Sequence, residues 1–142
     1  MLILTPAICG WQGIDPAQAA RYLNNENCLY FFHAKDAMID PIYVSYYGLT
    51  DMQSFEITNG RAWQFRTVGF GHSLNEWADL FSVLRATGYD DIISIEHEDS
   101  YMSVEEGLDK AINNLKQVIM TQPASTPRAF AADERFYKPK SR

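Results

Sequence analysis

The sequence lacks several features that would assign it to a broad class at once. Its 142 residues include only two cysteines, Cys9 and Cys28, which are too few for a disulfide framework and are not spaced like zinc ligands. No apolar run approaches the roughly 20 residues that a bilayer span requires. The N-terminus also lacks the basic and apolar regions of a secretory signal. We therefore expect a cytoplasmic protein that does not interact with a membrane.

Positive charge is scarce as well. Twelve Lys and Arg residues stand against 18 Asp and Glu residues, which gives a formal net charge of −6 at pH 7. Because nucleic-acid binding depends on clustered Lys and Arg, this balance argues against a nucleic-acid partner. It is compatible with a divalent cation, although most acidic proteins simply carry a solvated acidic surface.

Short apolar runs alternate with helical patterns along the chain. N-capping signals at Asp15, Ser73 and Ser103 begin the helices. Alternation of this kind is typical of an α/β fold with parallel strands. We expect strands near 28–33, 62–68 and 92–96 to lie parallel in one sheet, after a first strand within 1–9 and with helices near 74–87 and 104–120 outside. Between 37 and 60 the pattern predicts a long connection with a short strand near 42–47. Five apolar helix residues should be buried: Trp77, Leu80, Leu84, Leu108 and Leu115.

Ionisable side chains directly follow two of the predicted strands. His33 follows one strand and Glu96 the other, so both should point into the mouth formed by the strand carboxyl ends. Imidazole and carboxylate groups are suitable ligands for Mn²⁺, Co²⁺, Mg²⁺ or Zn²⁺. From spacing alone, a hydrogen-bonded His33 and a solvated Glu96 are the commoner outcome. Lys35 either neutralises an anionic group of a substrate or pairs with Asp36 on the surface, and surface pairing is commoner.

Four segments together resemble one known family. His33-Ala34-Lys35-Asp36 has the pattern H-x-K-D, and the segment 88–99 has the pattern G-Y-D…I-x-I-E-H-E-D. The turn at 11–16 and the stretch 63–71 fit in the right order. On these motifs, residues 10–120 resemble the C-terminal half of the sugar phosphate isomerase/epimerase family, the xylose isomerase-like TIM barrels.

The resemblance implies a reaction and a set of site residues. The reaction is metal-dependent proton transfer on a sugar, sugar phosphate or sugar-like polyol through an enediolate. His33 and Glu96 would be metal ligands, and Glu96 would also be the catalytic acid and base. Lys35, Asp36 and Arg66 would bind substrate.

The resemblance also implies domain boundaries. Residues 1–120 would form the C-terminal half of a (β/α)₈ barrel, since the chain is too short for a complete one. The proline-containing segment 121–142 is predicted to be an extended or disordered tail.

Two of the family's four metal ligands have no counterpart in the sequence. One belongs to a strand of the N-terminal half, and the other lies in a D-P-S-H motif where this sequence reads Thr5-Pro6-Ala7-Ile8. A one-base frame shift of codons for D-P-S-H-L can produce residues 5–9, so we hypothesise that residues 1–9 are an out-of-frame reading. The resemblance therefore implies weak or absent metal binding and a chain that is inactive alone. Its expected partners are a second copy or the missing N-terminal half.

Two other functions remain as alternatives. The chain could be a non-catalytic half-barrel that presents an unpaired sheet edge to another chain. Metal titration would distinguish this hypothesis from that of an isomerase/epimerase. A metal-dependent nuclease or hydrolase on a related barrel is disfavoured by the acidic balance.

Overall fold

A computed structural model describes residues 2–123 and shows a mixed α/β fold. Most of the predicted tail, residues 124–142, lies outside the described residues. No helix within 2–123 is long and apolar enough to cross a bilayer. In chain order the elements are β1 (Leu2–Leu4), α1 (Pro6–Trp11), α2 (Pro16–Asn25), β2 (Leu29–Ala34), β3 (Asp36–Ile39), α3 (Pro41–Tyr47), β4 (Trp63–Arg66), α4 (Leu74–Ala86), β5 (Ile93–Ile95) and α5 (Val104–Val118).

Three strands form a parallel sheet in the order β1-β2-β5. Phe32 in the central strand lies opposite Leu4 on one side and Ile93 on the other. The predicted parallel pairing of the strands near 28–33 and 92–96 is therefore confirmed. Within the described residues, β1 and β5 are the edges of this sheet.

The core lies between this sheet and helices α2, α4 and α5. Phe32 is fully buried, and its ring meets Trp77 of α4 edge-on with 6.5 Å between centroids. The predicted helices near 74–87 and 104–120 are confirmed as α4 and α5. Of the five residues expected to be buried, Leu108 is only half-buried, and four are buried: Trp77, Leu80, Leu84 and Leu115.

The prediction that the strand near 62–68 joins the parallel sheet is wrong. Strand β4 pairs antiparallel with β3, which places Asp36 opposite Arg66 and Ile39 opposite Trp63. A strand buried on both faces is usually a continuous apolar run, whereas β4 alternates apolar and polar residues. Its pattern therefore fits a two-stranded antiparallel pair, and β5 lies directly beside β2 instead.

The predicted first strand within 1–9 is confirmed as β1, and the short helix α1, which was not predicted, follows it. The prediction of a strand near 42–47 is wrong, because these residues lie in helix α3. Each helix begins with a proline, Pro6 or Pro41, whose fixed backbone angle is already suited to the first helical turn. Asp40 caps α3 by accepting hydrogen bonds from the backbone N–H groups of Ile42 and Tyr43.

Candidate functional site at the carboxyl end of the parallel sheet

Three ionisable side chains meet where β2 and β5 end. Ala34 pairs with Ile95 in register, so the residues around this pair leave the sheet side by side. One carboxylate oxygen of Glu96, Oε2, lies 3.1 Å from Nδ1 of His33. The other, Oε1, accepts a hydrogen bond of 2.7 Å from Nζ of Lys35. The structure thus brings His33 and Glu96 together, as the spacing predicted. It adds Lys35, which directly follows β2, to the same cluster.

Lys35 is the most buried member of the cluster. It is only 5% exposed, and its Nζ also donates to Oε2 of Glu98 over 2.9 Å. The ammonium lies 3.9 Å from the centroid of the Phe65 ring, a distance typical of a cation–π contact. Lys35 therefore pairs with two glutamates, and the surface pairing with Asp36 is not formed.

Lys35 also favours the ionised form of Glu96. Its hydrogen bond to the carboxylate lowers the pKa of Glu96 below the ordinary value, and His33 adds to this effect. Burial opposes the shift but is outweighed. Glu96 is therefore stabilised as a carboxylate, which is the form that a general base needs, but the lowered pKa makes it a weaker proton acceptor than an unperturbed glutamate.

Asp36 points away from this cluster and is fully buried. Its Oδ2 accepts hydrogen bonds from the backbone N–H of Gly69 at 2.9 Å and of Gly71 at 3.0 Å. Nε1 of Trp77 donates to the same oxygen over 3.1 Å, and Nδ1 of His72 lies 2.7 Å from Oδ1. The substrate-binding role predicted for Asp36 does not fit this position, because the carboxylate is enclosed. Asp36 instead holds the turn at 69–72 against α4.

Arg66 lies on β4, and its Nε donates to Oδ2 of Asp99 over 3.1 Å. Its guanidinium lies 4.4 Å from the centroid of the Tyr101 ring. Burial raises the pKa of Asp99. The backbone N–H groups of Thr67 and Tyr101, together with Arg66, lower it by more, so the pKa of Asp99 lies below its ordinary value. Arg66 is thus held in place by an ionised partner, and its role in substrate binding stays a prediction.

A cavity of about 490 Å³ adjoins the cluster. The rings of Phe55 and Phe65 stack in one wall, with 6.0 Å between their centroids. Sequence reasoning missed both residues. The alternation of β4 could have indicated Phe65, whereas Phe55 lies in a segment without a periodic pattern. The other wall comes from the loop after β5 and the start of α5: His97, Glu98, Asp99, Ser100, Met102 and Val104.

The metal ion that the resemblance implies does not fit the residues present. Across residues 2–123, no group of three or more His, Cys, Asp or Glu side chains is arranged to hold a metal ion. Both oxygens of Glu96 already have partners in His33 and Lys35. Thr5 and Ile8 lie at the start of α1, beside the end of β2, but neither offers a carboxylate or an imidazole.

Comparison with known proteins gives one relevant relative. The uncharacterized protein YfiH of Bacillus subtilis (strain 168) is 36% identical over 118 residues, which are 83% of this chain and 37% of that protein. The chain thus spans little more than a third of the length of this relative. No family model matches the chain.

Proposed function

We propose that this chain is the C-terminal half of a xylose isomerase-like barrel of the sugar phosphate isomerase/epimerase type. Support comes from the parallel sheet, which carries helices on one face and ionisable residues at its carboxyl end. Side chains alternate along a strand, and Leu4 and Phe32 face the helices. Ile3 and Phe31, which lie opposite each other, therefore face the other way, as does His33. In a complete barrel this second face would line the interior.

The length of the relative also supports the proposal. The 118 matched residues are 37% of YfiH, so YfiH is about 320 residues long. Complete (β/α)₈ barrels have about 200 to more than 400 residues. The present chain would then correspond to one part of such a barrel, and YfiH to the whole.

The reaction we propose is proton transfer next to the carbonyl group of a sugar, a sugar phosphate or a sugar-like polyol that carries a ketone or aldehyde. Glu96 would accept the proton from carbon and return it to another carbon or face of the enediolate. An ammonium group has three N–H donors, and Lys35 uses two on glutamates, which leaves one for a substrate oxygen. Since two of the four implied metal ligands are absent from the described residues, we derive no step through a metal. We propose that the chain does not catalyse this reaction without the complementary half of the barrel.

The observation that carries this proposal is the meeting of His33, Lys35 and Glu96 at the ends of neighbouring parallel strands. The purified chain should bind Mn²⁺ or Co²⁺ weakly and show no measurable isomerisation or epimerisation of ketoses. The N-terminal part of YfiH, added in trans to a Thr5→Asp, Ile8→His variant, should recover metal binding, measured by calorimetry. His33→Ala or Glu96→Ala should then abolish it.

A matched control is available on the outer surface. Glu105 lies exposed in the first turn of α5, so Glu105→Ala should leave the recovered metal binding unchanged. If the chain alone binds Mn²⁺ tightly as a monomer, and His33→Ala and Glu96→Ala bind it equally well, the site assignment is wrong.

A second candidate function is non-catalytic association with another chain. It is favoured by the exposed apolar side chains at both edges of the parallel sheet, with Ile3 52% and Ile92 58% exposed. The partner would be a second copy or the complementary half of the barrel. Analytical ultracentrifugation of the chain alone and mixed with that half would show which complex forms. Association without any metal binding in the mixture would favour this function over the first.

A further inference from the structure

We propose that Arg61 forms an oxyanion-binding site: its guanidinium takes the phosphate or carboxylate group of a ligand, which reaches it when the exposed ring of Phe55 moves aside. Arg61 is not part of the cluster of His33, Lys35 and Glu96. The inference therefore goes beyond the proposed function and does not depend on isomerase activity.

Arg61 is buried, yet one of its donors has no acceptor. Only 3% of the residue is exposed, and its Nε has no hydrogen-bond partner within residues 2–123. Burial lowers the pKa of Arg61 below its ordinary value, although the charge of nearby Asp51 opposes the shift. The carboxylate of Asp51 itself accepts hydrogen bonds from Gln53 and from the backbone of Ala62. A buried charged donor without an acceptor is unfavourable, and such groups in native proteins usually have a partner.

The unpartnered donors of the described structure lie around one ring. Two buried side-chain nitrogens lack a hydrogen-bond partner there, Nε of Arg61 and Nε1 of Trp11. Both side chains contact Trp63: the centroids of the Trp11 and Trp63 rings are 4.8 Å apart, and Cζ of Arg61 lies 4.7 Å from the centroid of Trp63. The indole of Trp63 is itself fixed, since its Nε1 donates to the backbone oxygen of Asp51 over 3.0 Å. An acceptor is therefore missing beside a rigid part of the molecule.

The chemistry of the free donor selects the ligand. A guanidinium presents two parallel N–H donors along the edge that contains Nε, and these match two oxygens of a carboxylate or phosphate group. The guanidinium lies against two aromatic rings, with Cζ 4.2 Å from the centroid of Phe55 and 4.7 Å from that of Trp63. Neither ring has an oxygen atom that could accept from Nε. The group that fits is thus an oxyanion supplied by a ligand.

Phe55 is the movable part of the cover over Arg61. Its residue exposure is 60%, whereas that of Trp63 is 3%. Phe55 lies outside the helices and strands, between α3 and β4, and it also lines the cavity of about 490 Å³. Exposed side chains change rotamer within nanoseconds. Rotation of this ring would open a path from the cavity to Arg61 without any change in the sheets.

The test is a titration of the full chain with inorganic phosphate, followed by proton–nitrogen NMR. The Nε–H resonance of Arg61, assigned by its loss in Arg61→Lys, should shift and saturate at millimolar phosphate. Sodium chloride at the same ionic strength should leave it in place. The indole resonance of Trp63 reports binding in variants that lack Arg61. By this reporter, Arg61→Gln should weaken phosphate binding at least about tenfold, because a charged donor is lost.

Two further measurements examine the access route and the source of the oxyanion. Phe55→Ala removes the cover over Arg61 and should bind phosphate more tightly than the wild type. Acetate should shift the same Arg61 resonance, because a carboxylate offers the same pair of oxygens. Glycerol phosphate, a phosphorylated polyol, distinguishes the two sources of phosphate. Tighter binding than inorganic phosphate would assign the site to a phosphorylated ligand, and equal binding would assign it to the free anion.

Arg85→Gln is the matched control. Arg85 is exposed on α4, and its two Nη atoms donate to the backbone oxygens of Met120 and Gln122 over 3.2 and 2.6 Å. The variant should leave phosphate binding unchanged. Circular dichroism establishes that each variant is folded. If Arg61→Gln does not fold, Arg61→Lys takes its place, since it keeps the charge but loses the parallel pair of donors and should also bind phosphate more weakly.

The proposal is overturned if phosphate leaves the Arg61 resonance in place, if the Arg61 variants bind phosphate as the wild type does, or if Phe55→Ala loses binding. None of these measurements involves catalysis, a metal ion or the complementary half of the barrel. Failure here would therefore leave the proposed half-barrel function standing. Catalysis by the isolated wild-type chain would contradict the proposed function but not the oxyanion site.

Discussion

Asp36 and Glu96 lie near the same end of the parallel sheet, yet their surroundings are opposite. Asp36 is fully buried, and backbone N–H groups and ring nitrogens surround its carboxylate. Glu96 is partly exposed, and its partners are the side chains of His33 and Lys35. Backbone donors cannot move away without unfolding a turn, whereas side-chain partners can. The comparison teaches that, of two ionisable residues at the same end of the sheet, the enclosed one positions the chain and the open one can exchange partners for a ligand.

The largest expected effect that tests this comparison is the loss of the buried carboxylate. Asp36→Asn would place an NH₂ group where the turn at 69–72 presents N–H donors, so we expect a loss of about 3–5 kcal/mol in the free energy of unfolding. Glu96→Gln, the matched change at the open site, should cost less than about 1 kcal/mol. Urea denaturation followed by circular dichroism measures both. Equal losses for the two variants would contradict the contrast.

A smaller effect is expected from the turn that Asp36 holds. A Cβ atom on Gly71 would clash with the carbonyl oxygen of Ala37, which is backbone and cannot rotate away. Gly71→Ala should therefore cost about 1–3 kcal/mol, measured in the same denaturation experiment. Gly10→Ala is the control, since its nearest neighbour, Cε1 of His72, would be at an ordinary 3.5 Å. Similar losses for both variants would show that the turn is not tightly packed.

The smallest expected effect is a pH dependence that originates at His72. The hydrogen bond to Asp36 raises the pKa of His72 above its ordinary value, although burial opposes the shift. Protonated His72 therefore stabilises the fold fully below the unfolded pKa of about 6.5, and this stabilisation is lost as the pH rises through the higher folded pKa. The free energy of unfolding should fall more between pH 6 and pH 9 in the wild type than in His72→Gln. Identical pH profiles would contradict this assignment.

The sequence predicts the helices and strands that carry a signal within their own residues. It does not predict the pairing of strands that are distant along the chain. Helices α4 and α5 were correctly predicted because capping residues and an apolar stripe lie within each helix. The pairing of β4 with β3 was missed because nothing local to 63–66 indicates which strand lies beside it. Helices α1 and α3 were missed because Pro6 and Pro41 can either break a strand or begin a helix.

The site shows the same division between local and distant information. His33 and Glu96 were expected to meet because each directly follows a predicted parallel strand. The partners of Lys35 and Asp36 were not predicted, because they depend on a change of direction at Lys35. This single residue separates β2 from β3, and the chain passes there from the parallel sheet to the antiparallel pair.

Among residues 2–123, the two open edges of the parallel sheet are different strands, β1 and β5. If copies associate so that all strands stay parallel, β1 of one molecule lies beside β5 of the next, which is a head-to-tail contact. Such a contact has no two-fold symmetry between a pair of identical edges. It ends only if the rotation from copy to copy closes a ring, and otherwise each addition presents the same free edge again. Growth by this route would continue with rising concentration, and a strand that covers either edge would stop it.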